Sequence, residues 1–250
     1  MLLRLFLPLT LALAVSAQDR AAAMGARLAD AALRDRQPLP SDLAQQYVAR
    51  LGRQLALHAE GPNYPYTFTV FEELPDSLRN PTHEPLALPG GEIFIPASLL
   101  LQAHDTAELA GMLAHAIAHV ADFDCTAPQP RADQSDTGAI AASRASGCWI
   151  GPSVPLADRT LYRNREARAD LQAVRILAQS GYDPSAFLEY LRRVQPAALP
   201  SGSPLPPIDE RVATLQKEIA NLLPGRRYTA GEDLSPLQIE VRKRIEKRLW

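Results

Sequence analysis

The chain has 250 residues, 46% of them hydrophobic, and a formal net charge of -2. Those values fit one sizeable folded domain, or one domain with an appendage. The near-neutral balance offers no basic face of the kind nucleic-acid binding requires, so no nucleic-acid partner is expected.

The first residues, MLLRLFLPLTLALAVSAQDR, read as an export signal and not as part of the fold. Arg4 supplies a short basic start, Leu5 to Val15 is apolar, and Val15-Ser16-Ala17 offers small residues for cleavage. That apolar run is shorter than the ~20 residues needed to span a bilayer. Residues 1–17 are therefore expected to be a removed signal peptide, with an uncleaved anchor as the alternative. The mature chain is expected to be soluble, in the periplasm or outside the cell, with a main domain over 18–224 and a charged tail over 225–250. Cys125 and Cys148 are the two cysteines, and an even pair in an exported protein invites a disulfide. The bond would contribute on the order of 3 kcal/mol; two unpaired buried thiols are the alternative.

From Ala21 to about Leu57 apolar residues recur at three- and four-residue steps, which predicts helices. QPLPSD (37–42) interrupts them, and Ser41 or Asp42 is placed to cap the second. YTFTVFE (66–72) alternates and is rich in β-branched and aromatic residues, so it reads as a strand. LALPGGEIFIP (86–96) reads as a hairpin turning at Pro89-Gly90-Gly91, and its closing Pro96 predicts a strand at or near a sheet edge.

Asp105-Thr106-Ala107-Glu108 fits a capping box opening the next helix, whose apolar stripe runs from Leu109 through Val120. Residues 126–147 read as a long loop inside the candidate disulfide. A second strong helix is expected from about Asp158 to Gln179, stopping at Gly181, and a third from Asp183-Pro184 to about Val194. A proline-rich loop, LPSGSPLPPIDE (199–210), leads to a helix over about Asp209 to Leu223. The basic end VRKRIEKRLW reads as a solvated terminal helix, with a membrane-surface helix as the alternative.

Within LAHAIAHVADFD (113–124), His115 and His119 stand four residues apart on a helix, the spacing that presents two imidazoles to one metal ion. Two hydrogen-bonded histidines with no metal are the plain alternative. NREARAD (164–170) places Glu166 and Asp170 on one face of a later helix. A glutamate there would complete a His-His-Glu set, the three protein ligands of catalytic zinc. An aspartate one turn on can accept a hydrogen bond from a ligand histidine and fix its tautomer. On spacing alone, a metal site and a solvated face among Arg163, Arg165 and Arg168 both remain open.

The order LPGGEIFI, AELAGMLAHAIAHV, EARAD, SGYDP and PPIDERV resembles the HtpX/CAAX-protease family of zinc metallopeptidases, over roughly residues 40 to 220. It looks most like a soluble exported branch. The resemblance implies an α+β, mostly helical zincin-like metallopeptidase domain with a small sheet. It implies zinc on His115, His119 and Glu166, with Asp170 supporting a ligand histidine. It also suggests that the strand at Ile93 and Phe94 pairs with an extended polypeptide.

The departures fall on the chemistry. The family reads His-Glu-x-x-His, and its glutamate takes a proton from the metal-activated water; here that position is Ala116. A family histidine before the ERV helix aligns with Leu205, and Ala118 replaces a usual glycine. Losing a general base removes about 10²–10⁴-fold in rate. Glu108, committed to a cap, and Asp122, three residues past His119, are poor replacements. Three readings follow: a zinc-binding pseudoprotease that holds unfolded or extended polypeptide, an active endopeptidase with an unrecognised base, or a metal-free interaction domain.

Overall fold

The computed structural model describes residues 18–19, 21–30, 37–72, 82–122, 159–199, 203, 205–222, 227–229 and 231–248. Residues 1–17, expected as a signal peptide, the candidate disulfide cysteines Cys125 and Cys148, and residues 126–147, expected as a loop, lie outside the described residues.

Residues 21–30 form helix α1. Helix α2 (Asp42–Ala56) starts where Ser41, not Asp42, caps it by accepting from the Ala44 N–H. Its buried face, Ala44, Val48, Leu51 and Leu55, keeps the expected helical step. Strand β1 (Thr67–Phe71) lies against α2, and a side chain at Gly52 would collide with the Phe68 ring. Gln45 reaches across and pairs with β1 as a strand would, its amide donating to the Val70 carbonyl and accepting from the Val70 N–H.

The hairpin forms as expected from strands β2 (Leu86–Ala87) and β3 (Glu92–Pro96). Gly90 and Gly91 turn it at φ 85° and 105°, a region that disfavours side chains. The strand order is β1-β3-β2, with β1 and β3 parallel and β2 antiparallel to β3. This corrects two expectations. β3 is the central strand and not an edge: Pro96 ends it, where a missing N–H matters little, and leads straight into helix α3 (Ala97–Gln102). Ile93 pairs with Phe68 and Ala87, Phe94 with Thr69 and Leu86, so neither has a backbone edge left to take up a polypeptide.

Helix α4 (Thr106–Ala121) is the axis of the fold. Asp105 caps it through the Glu108 N–H, while the Glu108 carboxylate accepts from the His104 N–H and pairs with Arg193. All of its residues except His119 are buried, consistent with a helix surrounded on every side. Helix α5 (Arg159–Ser180) packs along it most extensively and ends at Gly181, φ 87°. There the Tyr182 and Gly181 N–H groups return to the Leu177 and Ala178 carbonyls, closing the helix end. Helix α6 (Ser185–Val194) crosses α4 at Gly111, where an added Cβ would sit 2.7 Å from Phe187 Cβ. Helix α7 (Ile208–Asn221) packs on α5 and α6.

The final helix, α8 (Ser235–Arg248), follows the position marked off at 225 yet buries Leu237 and Val241 in the main core beside Leu234. Gln238 donates to the Leu100 and Ala103 carbonyls. The whole is α+β and mostly helical, as expected from the sequence. Among the described residues no helix is long and apolar enough to cross a membrane.

Candidate metal centre

The helical step of α4 stacks His115 and His119 one turn apart, and α5 brings Glu166 and Asp170 to meet them. The four expected residues therefore converge. His115 is fully buried. Its ring centroid lies 4.6 Å from that of His119 and 5.9 Å from that of Phe187, which walls the pair on the α6 side.

Three groups crowd one nitrogen. His115 Nε2 lies 3.0 Å from His119 Nε2, 3.4 Å from Glu166 Oε2 and 2.6 Å from Glu84 Oε1. Glu166 Oε1 is 3.6 Å from His119 Nε2. An imidazole nitrogen carries one proton or one lone pair, so it can satisfy only one of these neighbours. Glu166 Oε2 is buried with no well-formed hydrogen bond, an arrangement that calls for a missing partner. One ligand atom from each of Glu84, His115, His119 and Glu166 fits within 4.8 Å. Tetrahedral ligands ~2.1 Å from zinc stand ~3.4 Å apart, a spacing that the 3.0, 3.4 and 3.6 Å contacts bracket, while the 2.6 Å Glu84 contact is that of a hydrogen bond. Nitrogen and carboxylate donors are those zinc takes, so the residues present fit the ion.

The far side of His115 is held by a chain of polar contacts. Asp170 Oδ1 is 3.0 Å from His115 Nδ1, off the line of a straight hydrogen bond. Arg211, at the start of α7, grips Asp170 with both arms, Nε to Oδ2 at 2.7 Å and Nη2 to Oδ1 at 2.6 Å. Its third nitrogen donates to Gln195 Oε1 at 2.7 Å, and Gln195 in turn donates to the Pro206 carbonyl. The PPIDERV stretch thus serves the centre through a buried cation.

Burial opposes charge on His115, but the Asp170, Glu166 and Glu84 carboxylates outweigh it and hold its pKa well above 6.5. Burial opposes the Glu166 carboxylate as well, and the positive field of His119, with His115, carries its pKa below the ordinary range. Asp170 is lowered in the same way, Arg211 outweighing burial, and Asp170 in return raises Arg211. Opposite charges therefore face one another across the site.

Ala116 lies between the two histidines, buried, with no group to offer. The stand-ins weighed from the sequence are committed elsewhere: Glu108 to Arg193 and the α4 cap, Asp122 to Arg168 at 3.8 Å. Leu205, at the family histidine's position, is buried. Ile93 and Phe94 belong to the hairpin and are not among the converging residues.

Sequence reasoning missed two participants. Glu84 stands alone in an aperiodic stretch before β2, and no spacing linked it to the histidines. Arg211 was visible within PPIDERV, but only as a family landmark.

Known proteins share this arrangement of sequence. A beta-barrel assembly-enhancing protease of Escherichia coli (strain K12) is 26% identical over 189 residues, 69% of this chain and 37% of that protein. A Vibrio cholerae protein named in the same terms is 26% identical over 178 residues, 65% of this chain and 35% of its own length. The chain thus spans little more than a third of the length of these curated relatives. Residues 42–219, which hold both histidines, Glu84, Glu166, Asp170 and Arg211, match the profile of Peptidase family M48, a family of zinc metallopeptidases, and the chain belongs to it.

Proposed function

We propose that this chain is an exported M48 protein that binds zinc through His115, His119 and Glu166, with a lost or impaired hydrolytic step, and that it holds unfolded or extended polypeptide in the cell envelope. The observation that carries the reading is Ala116. Between buried His115 and half-buried His119, where the family places its proton-accepting glutamate, the helix offers a methyl group.

Zinc with a coordination position left open would polarise a carbonyl and acidify a water. Asp170 would hold the His115 ring with Nε2 turned towards Glu166 and His119, and Arg211 would hold Asp170. Phe187 would keep water from one side of the pair. What the residues of α4 do not supply is a proton acceptor. The polypeptide ligand rests on family membership, and the envelope rests on the apolar first residues together with the named role of the relatives.

The reading is tested by adding the full mature chain to a fluorescently labelled, reduced and alkylated polypeptide. We expect saturable binding by anisotropy, with the polypeptide recovered uncut. Absence of binding, or recovery of fragments that a chelator prevents, would contradict it. One observation favours a second reading, that of an active endopeptidase: Glu84 brings a carboxylate into the centre from outside α4. That reading makes Glu84 the base, and the next experiment separates the two.

A further inference from the structure

We infer that Glu84 is the fourth protein ligand of the metal centre, so that the chain carries a closed site and not one with a position left for water. The inference rests on the zinc centre proposed above and deepens it.

The segment before β2 is built to deliver this side chain. His83 adopts φ 52°, a left-handed conformation uncommon outside glycine, and so turns the chain sharply just before Glu84. The turn is anchored on both sides. The Tyr190 hydroxyl donates to the Thr82 carbonyl at 3.0 Å, and His83 Nδ1 meets Ser98 Oγ at 2.7 Å. Pro85 then restricts Glu84 to extended backbone. Tyr190 belongs to α6, Ser98 to α3, and Glu84 runs directly into β2, so three packed elements fix the position. A residue held in a sparsely populated conformation by its surroundings is a marker of a functional site.

Where the carboxylate lands decides its role. A proton acceptor for a water must stand one water away from the metal, beyond the ligand atoms. Glu84 Oε1 is instead 2.6 Å from His115 Nε2, among the ligand atoms themselves. That contact is a hydrogen bond, shorter than the ~3.4 Å between two ligands of one zinc, so the ion would replace the shared proton and part the two atoms, with all four groups within reach of it. Two imidazoles and two carboxylates make a complete tetrahedral set, and zinc sites with four protein ligands are structural while catalytic ones keep a position open. Ala116 and Glu84 then describe one arrangement: α4 supplies no base beside the first histidine, and a fourth ligand takes the position that water would hold.

The full chain loaded with cobalt(II) in place of zinc reports this directly, because the visible spectrum of the ion follows its coordination. We expect the natural protein to show a four-coordinate spectrum that added azide leaves unchanged. In Glu84→Ala the same spectrum should respond to azide. Its zinc affinity, by competition with a chromophoric chelator, should fall by more than the ~10–100-fold typical of losing a ligand's hydrogen-bond partner. Glu84→Gln keeps the shape and tests the same loss if the alanine variant does not fold. A natural protein whose spectrum shifts with azide, or a Glu84→Gln variant that binds zinc as tightly as the natural chain, overturns the inference while leaving the zinc centre standing. A natural protein that binds neither ion overturns both. As a consequence, Ala116→Glu alone should not restore cleavage, and Ala116→Glu with Glu84→Ala is the pair that could.

Discussion

His115 concentrates the chemistry of this protein in one side chain. Zinc held at Nε2 would need that nitrogen's lone pair, yet three carboxylates favour the protonated ring. Metal binding must therefore release a proton, and zinc affinity should fall as the pH is lowered. For the metal-free fold the raised His115 pKa adds stability that is complete below 6.5 and is lost as the pH rises through the folded value. The depressed Glu166 and Asp170 act oppositely: their stabilisation is present above their ordinary values of 4.5 and 3.8 and is lost as the pH falls through the folded ones. Thermal melts of metal-free protein should accordingly peak between 4.5 and 6.5, and saturating zinc should abolish the decline on the alkaline side. A flat alkaline limb without zinc would contradict this assignment. Asp170→Asn should weaken zinc binding about 10–100-fold, read by chelator competition, because the ring it orients exchanges a charged acceptor for a neutral amide oxygen.

Among the elements, α4 matters most, because a helix buried on all sides can place two histidines only if its neighbours come close. Gly111 makes that approach on the α6 side, where Phe187 fills the space of the missing Cβ. Gly111→Ala should cost about 1–3 kcal/mol in urea unfolding. It should also weaken zinc binding, since Phe187 lies against His115. Helices α2, α4, α5, α6 and α7 were legible in the sequence because each has a periodic apolar face, a capping residue or a stop, such as Ser41, Asp105, Asp183 and Gly181. The hairpin was legible from its glycine turn. The strand order was not: β3 became central because β1 pairs with it in parallel across a long crossover, and no local pattern in 92–96 encodes that. His115 with His119, and Glu166 with Asp170, were legible as pairs one helical turn apart, and it was the family resemblance that joined the two pairs into one centre. Glu84 was not, because its place depends on a left-handed turn at a histidine and on anchors from α3 and α6.

Across the whole molecule, the C-terminal segment ties the two ends of the fold together. The Thr106 N–H donates to the Glu232 carbonyl at the start of α4, Tyr182 bridges to Thr229, and α8 packs on α3 and α2. The apolar face that a membrane-surface helix would need, Leu237, Val241 and Ile245, is turned to the core. Leu237→Ala should therefore cost about 2–5 kcal/mol in chemical denaturation. A cost near zero would show α8 to be an appendage.

The central claim, a zinc centre without a working base, is tested most directly by two readouts on one preparation of the mature chain: its zinc content, and its cleavage of an unfolded polypeptide with and without chelator. The account predicts about one zinc per chain, as a site with His115 and His119 as ligands requires, and no chelator-sensitive cleavage. Fragments that appear with zinc and vanish with the chelator would contradict it and make Glu84 the residue to examine as the base.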